Sequence, residues 1–391
     1  MRNWPTLNVA SGPVEVTNRT LRDQARPVLY HYDPAFVDFY AHTCALLKEV
    51  YQTKYDVIIM HGEALLGIEA AAAGLISPGD KVLNLVSGVF GKWFELFVDK
   101  YGGTTVELAV PYNEAIDPDD VRKALQRDSE IKFLSVVHSE TPSGTVNPVK
   151  EIGPLAKEFG VITIVDTVSG LGGEQLIPEE WGVDIAIGGP QKCLGGPPGL
   201  ALLSVSPDAW RALSQREAPL RGSYMSILDW KKAWIDGGTF PYTPSVSDVY
   251  ALESVLAQVL EEGLDRFANR HDAIAKATRT GIKEMGLELW PAREEISGVA
   301  CTAVTMPDNV TDEHLRGHMR NRYGVMVSGG YGDLAGKLIR LGHMGKAAHP
   351  TYMAAQLAVF ERSLIDLGVS VRLGVGVGAA MAALENWDDS E

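Results

Sequence analysis

Short apolar runs alternate with segments of helical period across the first two thirds of the chain, the pattern of βαβ units feeding a mainly parallel sheet. Candidate strands are Val57–Met60, Lys81–Leu85, Thr105–Val110, Phe133–Val137, Ile162–Val165, Ile185–Gly188 and Leu200–Val205. Between them the spacing predicts helices over Glu63–Ala73, Gly88–Tyr101, Asp117–Gln126 and Pro148–Phe159, the third opened by Asp-Pro-Asp-Asp. The set predicts a doubly wound α/β domain with a seven-stranded sheet. After Pro241 the texture changes. Ser247–Glu284 has apolar residues at helical spacing, interrupted only by Gly263 and Gly281, and predicts one or two helices joining two domains. Beyond it, strand-like Val299–Thr305 and Lys337–Leu341 mix with helices over Thr311–Tyr323 and Pro350–Leu367, a smaller α+β domain. The expected division is an N-terminal segment at 1–20, a large domain at 21–265 and a small one at 266–391.

Composition narrows the partners. The 391 residues carry 35 Lys+Arg against 50 Asp+Glu, a net charge of −15 that repels phosphodiester backbones and anionic headgroups at long range. Nucleic acid and membrane partners are therefore not expected. No run approaches the roughly 18 apolar residues of a membrane span. Cys44, Cys193 and Cys301 are widely spaced, which suits neither a disulfide framework nor a zinc site. No metal site is expected, and a reducing cytoplasmic location fits.

Candidate chemistry gathers at the ends of the predicted strands. Asp166 closes one of them, where α/β sheets place ligands, and Lys192 follows a later strand in a loop closed by Gly195-Gly-Pro-Pro-Gly199. Pyridoxal chemistry needs such a pair: an anion that keeps the pyridine nitrogen protonated, and an amine that reacts with the aldehyde and carries the proton. Thr141, in His138-Ser-Glu-Thr-Pro-Ser-Gly144, offers a hydroxyl to the ring's phenolic oxygen, and Phe90, between Gly88 and Gly91, a flat face for stacking. Trp93 reads as a core aromatic. His61, His138 and His343 read as structural.

The order of HSETPSGTVNP, VDTVSGLGG, GGPQKCLGGPPGL, Tyr242-Thr-Pro and Lys337-Leu-Ile-Arg340-Leu-Gly-His-Met-Gly345 resembles the fold-type I, class V aminotransferases over nearly the whole chain. VLYHYDPAF, HGEALLGIEAAAA and RLGHMG are similar to members that exchange an amino group between pyridoxamine and pyruvate or a like 2-oxo acid. The resemblance implies a large seven-stranded domain with a small C-terminal one. It implies Lys192 as the Schiff-base lysine, Asp166 on the pyridine nitrogen, Phe90 and Val168 on the ring faces, and Thr141 on its hydroxyl. Gly62, Glu63 and Gln191 would line the cofactor's far end. Arg340 would clamp the substrate carboxylate, a task suited to a planar two-pronged cation, with Tyr331, Tyr30 and Gly12 beside it. It further implies a homodimer or dimer of dimers in which Tyr242 and Thr243 reach the neighbouring site.

Two departures stand out. Phosphate-binding members carry Gly-Ser or Gly-Thr at the turn opening the first crossover helix, where backbone N–H groups hold the phosphate. Here the turn reads His61-Gly-Glu-Ala64. An acid at that place favours pyridoxal or pyridoxamine as a substrate, with no cofactor tightly bound. The other departure is Tyr331, aligned with a second arginine in the pyridoxamine-using members. The alternatives are a pyridoxal-phosphate (PLP) enzyme of the alanine–glyoxylate type and, outside enzymes, a vitamin-B6-binding protein.

Overall fold

The structure is a computed structural model and describes residues 4–385 and 387. The remaining residues, which include the outer ends of the expected N-terminal segment and small domain, lie outside it.

The seven predicted strands form one sheet in the spatial order Asp56–His61, Leu200–Val205, Ile185–Gly188, Ile162–Asp166, Ile131–Val137, Lys81–Val86, Thr104–Ala109. Leu200–Val205 runs antiparallel to both neighbours, and every other pair named here that adjoins without it is parallel. The inner strands are buried almost throughout, as expected of a sheet covered by helices on both faces. Val137, Asp166 and Ile187 are level in the register, so three strands deliver their carboxyl ends, and the loops after them, to one crevice.

The helices begin where their caps dictate. Glu63 is the N-cap of Ala64–Leu75, its Oε2 accepting from Leu65 N at 3.0 Å. Helices Asn18–Gln24 and Pro34–Val50 fall outside the predicted set, although Asp33 followed by Pro34 is a start signal. Ser247–Glu284 resolves into Val246–Glu262 and Leu264–Glu284, broken at Gly263, whose φ of 91° few other residues adopt. The predicted strand at Val299 starts later, at Cys301, because Val299 N donates to the Glu174 carboxylate instead of a ladder.

A second apolar cluster, including Ile339, Leu341, Leu357 and Phe360, packs under a three-stranded antiparallel sheet of Cys301–Thr305, Leu338–Gly342 and Ser328–Gly329. Its last helix, Val375–Ala382, takes its cap from elsewhere: the fully buried Glu361 accepts from Gly374 N, Gly376 N and Val377 N at 2.8, 2.5 and 3.1 Å. Glu361→Ala leaves three donors without an acceptor and is expected to cost about 3 kcal/mol. A urea-unfolding midpoint checks this.

Residues 7–14 strap the two parts together. Leu7–Asn8 pairs in parallel with Val325–Met326, and Gly342 N donates to Val9 O at 2.9 Å. Ser11 N donates to Ser328 Oγ, and Val14 N then reaches Gln191 O beside the predicted catalytic lysine.

Candidate active site

Glu63, Phe90, Asp166, Val168 and Lys192 line one cleft of ≈ 520 Å³, together with Trp93 and Ser169. Trp93 is thus no mere core aromatic. It packs edge-on to Phe90 and to Tyr331, both with centroids at 5.5 Å; Phe90 and Trp93 form the aromatic wall of the cleft, and Tyr331 lies against it.

Asp166 Oδ1 accepts from Val168 N at 2.9 Å, which holds the acid at the strand end and Val168 beside it. Burial pushes the Asp166 carboxyl up to about 6, opposed by that N–H and by the charge of Lys192. A cationic ring nitrogen would pull it down again. Lys192 Nζ donates to Ser11 O at 2.7 Å, and burial with the nearby Arg340 charge pushes the ammonium below its usual value, which favours the free amine. Gly12 is pressed against this side chain. At its φ of 98° a Cβ would fall 2.5 Å from Lys192 Cδ and 2.7 Å from Nζ.

Thr141 is buried, and its hydroxyl lies 3.3 Å from Ser169 Oγ. Its carbonyl accepts from Arg340 Nη1 at 3.0 Å, and Gly329 O accepts from Arg340 Nε at 2.8 Å. These two bonds fix the guanidinium plane. Among the described residues no carboxylate pairs with Arg340, and burial is what most disfavours its charge.

At the far end, Glu63 is gripped from two sides, by Leu65 N and by Gln191 Nε2 at 2.6 Å. Gln191 Oε1 is buried with no partner among the described residues. Gly62, at a φ of 151°, donates its N–H to Gly199 O. Tyr331 is 44 % exposed at the rim, its ring 6.2 Å from that of Phe90.

Tyr30, Tyr242 and Thr243 lie outside the cleft lining, as do Gly12, Gly62, Thr141, Gln191, Tyr331 and Arg340. Tyr30 is 66 % exposed beside His31 and Tyr32, Tyr242 accepts from Trp230 Nε1 at 2.9 Å and lies against Tyr224, and Thr243 is exposed. His343 bonds to Val299 O and Thr302 Oγ1, which accounts for it structurally. Sequence reasoning missed the Ser11 carbonyl, Ser169 and the buried Glu140, whose carboxyl burial pushes up to about 8. Backbone acceptors leave no signal in a sequence.

The class V aminotransferase family model matches residues 23–339. The chain belongs to the class V aminotransferases. It is 43% identical over 381 residues to pyridoxamine–pyruvate transaminase of Mesorhizobium japonicum, with 97% of each chain covered. The crystal structure of pyridoxamine–pyruvate aminotransferase from Mesorhizobium loti superposes with a TM-score of 0.95 at 42% identity, covering 98% of both chains. Ureidoglycine–glyoxylate aminotransferase from Bacillus subtilis gives 0.92 at 31% identity, covering 97% of this chain and 98% of that one.

Family membership corrects one expectation. Class V aminotransferases use PLP as a bound cofactor, so the reading of Glu63 as a sign that none is tightly held does not stand. The residues present fit such a group at its ring, with an acid, an amine and an aromatic wall around one cleft. Glu63 stands at one end of the cleft, whereas Asp166, Lys192 and Phe90 are available to the ring whatever its tail.

Proposed function

We propose that the protein transfers an amino group between pyridoxamine and pyruvate, giving pyridoxal and L-alanine. The observation that carries this reading is Arg340: a cation on the small sheet, held in one plane by two carbonyls, near enough to lower the Lys192 ammonium, and without an acid partner among the described residues. A small 2-oxo acid supplies the missing carboxylate. Pyridoxamine as donor is supported by the relatives above.

A pyridoxal-type ring supplies an electron sink for the bond broken at the substrate's α-carbon. Asp166 holds the proton on the ring nitrogen, and Phe90 and Val168 confine the ring between them. Thr141 donates to the ring hydroxyl. Lys192, whose ammonium burial and Arg340 disfavour, would move a proton between the substrate α-carbon and C4′.

The test is pyridoxamine with a panel of 2-oxo acids, pyridoxal being followed by absorbance. Pyruvate is expected among the best acceptors, and absence of pyridoxal with every acid defeats the proposal. Arg340→Lys replaces a fork with a point charge and is expected to cost about 2 kcal/mol in kcat/KM for the 2-oxo acid while sparing pyridoxamine binding. An unchanged constant for the acid removes Arg340 from the site.

The same reading takes the molecule as a homodimer or dimer of dimers, Tyr30, Tyr242 and Thr243 serving the neighbouring subunit. It is supported by the exposed apolar run of Val28, Leu29, Tyr30 and Tyr32. A cytoplasmic location agrees with three free, buried cysteines, and no helix among the described residues is long and apolar enough to cross a membrane.

A further inference from the structure

Between the aromatic wall and the carboxylate clamp stands an acid that amino transfer leaves without a task. Glu140 is 0 % exposed. Its Oε1 accepts from Gly91 N at 2.7 Å and its Oε2 from Phe90 N at 3.3 Å. Both donors belong to the first turn of Val89–Lys100, a helix whose own N-cap, Gly88, has no side chain to offer. The acid can come this close because position 88 is glycine: a Cβ there would lie 2.5 Å from Glu140 Cδ. The cap that most helices take from an adjacent Ser, Thr, Asp or Asn is here supplied from another strand end.

Glu140 sits on a short hairpin, Ser139–Glu140 pairing with Thr145–Val146, closed by Gly144 N donating to Glu140 O at 2.8 Å. The next residue is Thr141, whose carbonyl holds Arg340. One rigid turn therefore touches the backbone of Phe90 through a side chain and the guanidinium through a main chain.

We propose that Glu140 is a positioning residue for amino transfer: its carboxyl group fixes the first turn of Val89–Lys100 and thereby holds the Phe90 ring in place as one wall of the ring site. This rests on the reading of the cleft as a site for a pyridoxamine-type ring. Without the acid, two N–H groups in a buried turn lose their acceptor, and the turn shifts to find others. Phe90 is in that turn, so its ring moves with it.

The experiment is a double-mutant cycle read by binding, not turnover. The probe is 4-deoxypyridoxine, which has the ring and its nitrogen but no aldehyde to react with Lys192. Quenching of tryptophan fluorescence reports its seating, Trp93 being next to Phe90. Phe90→Ala is expected to weaken binding about tenfold by loss of the stacking face. Glu140→Gln keeps an acceptor for Gly91 N but sets an amide N–H against that of Phe90, and is expected to weaken it about fivefold. The double variant is expected to bind within about twofold of Phe90→Ala, because a positioning residue has nothing left to position. Glu140→Asp, an acid withdrawn by one methylene, carries the same cycle if the amide variant does not fold. KM for pyruvate is expected to stay within about twofold in the single Glu140 variants, since the Thr141 carbonyl and not the Glu140 side chain holds Arg340.

Additive losses overturn the proposal, as does wild-type affinity in the Glu140 variants alongside a weakened Phe90→Ala. A parallel rise in KM for pyruvate also overturns it, for that marks a general loosening. Unchanged affinity in Phe90→Ala defeats the ring-site reading instead.

Discussion

Lys192→Ala is expected to abolish amino transfer, by at least about a thousandfold, while the protein still unfolds cooperatively. The size of the effect follows from two tasks resting on one atom: the amine that joins the aldehyde is the one that moves the proton at the α-carbon. The fold is expected to survive because the ammonium is itself a burden on it. Burial pushes Lys192 below its usual value, and what holds it is one carbonyl, Ser11 O. Borohydride should no longer fix pyridoxal to the variant. Trapping at full yield would place the reacting amine on another lysine.

Glu63→Ser is the second large effect, and it concerns preference more than rate. The variant's affinity for PLP, divided by that for pyridoxal, is expected to rise at least about a hundredfold, or ~2.7 kcal/mol. Two unit charges about 4 Å apart repel by roughly 4 kcal/mol at an effective dielectric of 20, and solvent at this exposed turn screens part of that. The substitution also releases Leu65 N, now occupied by Glu63 Oε2, so that a helix N-terminus becomes available to an anion. The new hydroxyl adds about 1 kcal/mol as a further donor. Titrating both vitamers against both proteins decides the matter, and a ratio that does not move shows that Glu63 caps the helix and nothing more.

The strands were legible to within two residues at either end because a run buried on both faces is apolar throughout, and polar turns bound it. Direction was not: nothing in Leu200–Val205 distinguishes a strand that runs against its neighbours from one that runs with them. Asp166 and Lys192 stand out in the sequence because Asp166 ends one strand, Lys192 lies in the loop after its neighbour, and glycines crowd both loops. Glu140 could not, since its partners are main-chain N–H groups roughly fifty residues earlier and its acidity gives no hint of burial. Trp93 packs on the apolar cluster of Val89, Ala303 and Leu334 and also lines the cleft, and helical spacing does not separate those two faces. Tyr30, Tyr242 and Thr243 were drawn from likeness alone, and in a single chain they stay outside the cleft lining.

The strap at residues 7–14 also sets the order in which this protein can be completed. Ser11 waits for Ser328, a partner 317 positions away, and Val9 for Gly342. Those contacts cannot form on the ribosome until most of the chain has emerged, so the amino end, made first, is among the last parts to settle. Until then the amine of Lys192 lacks its carbonyl and Arg340 has not been made. Chains cut short before Ser328 are therefore expected to hold all seven strands of the large sheet and to leave the amino end without its partners on the small one.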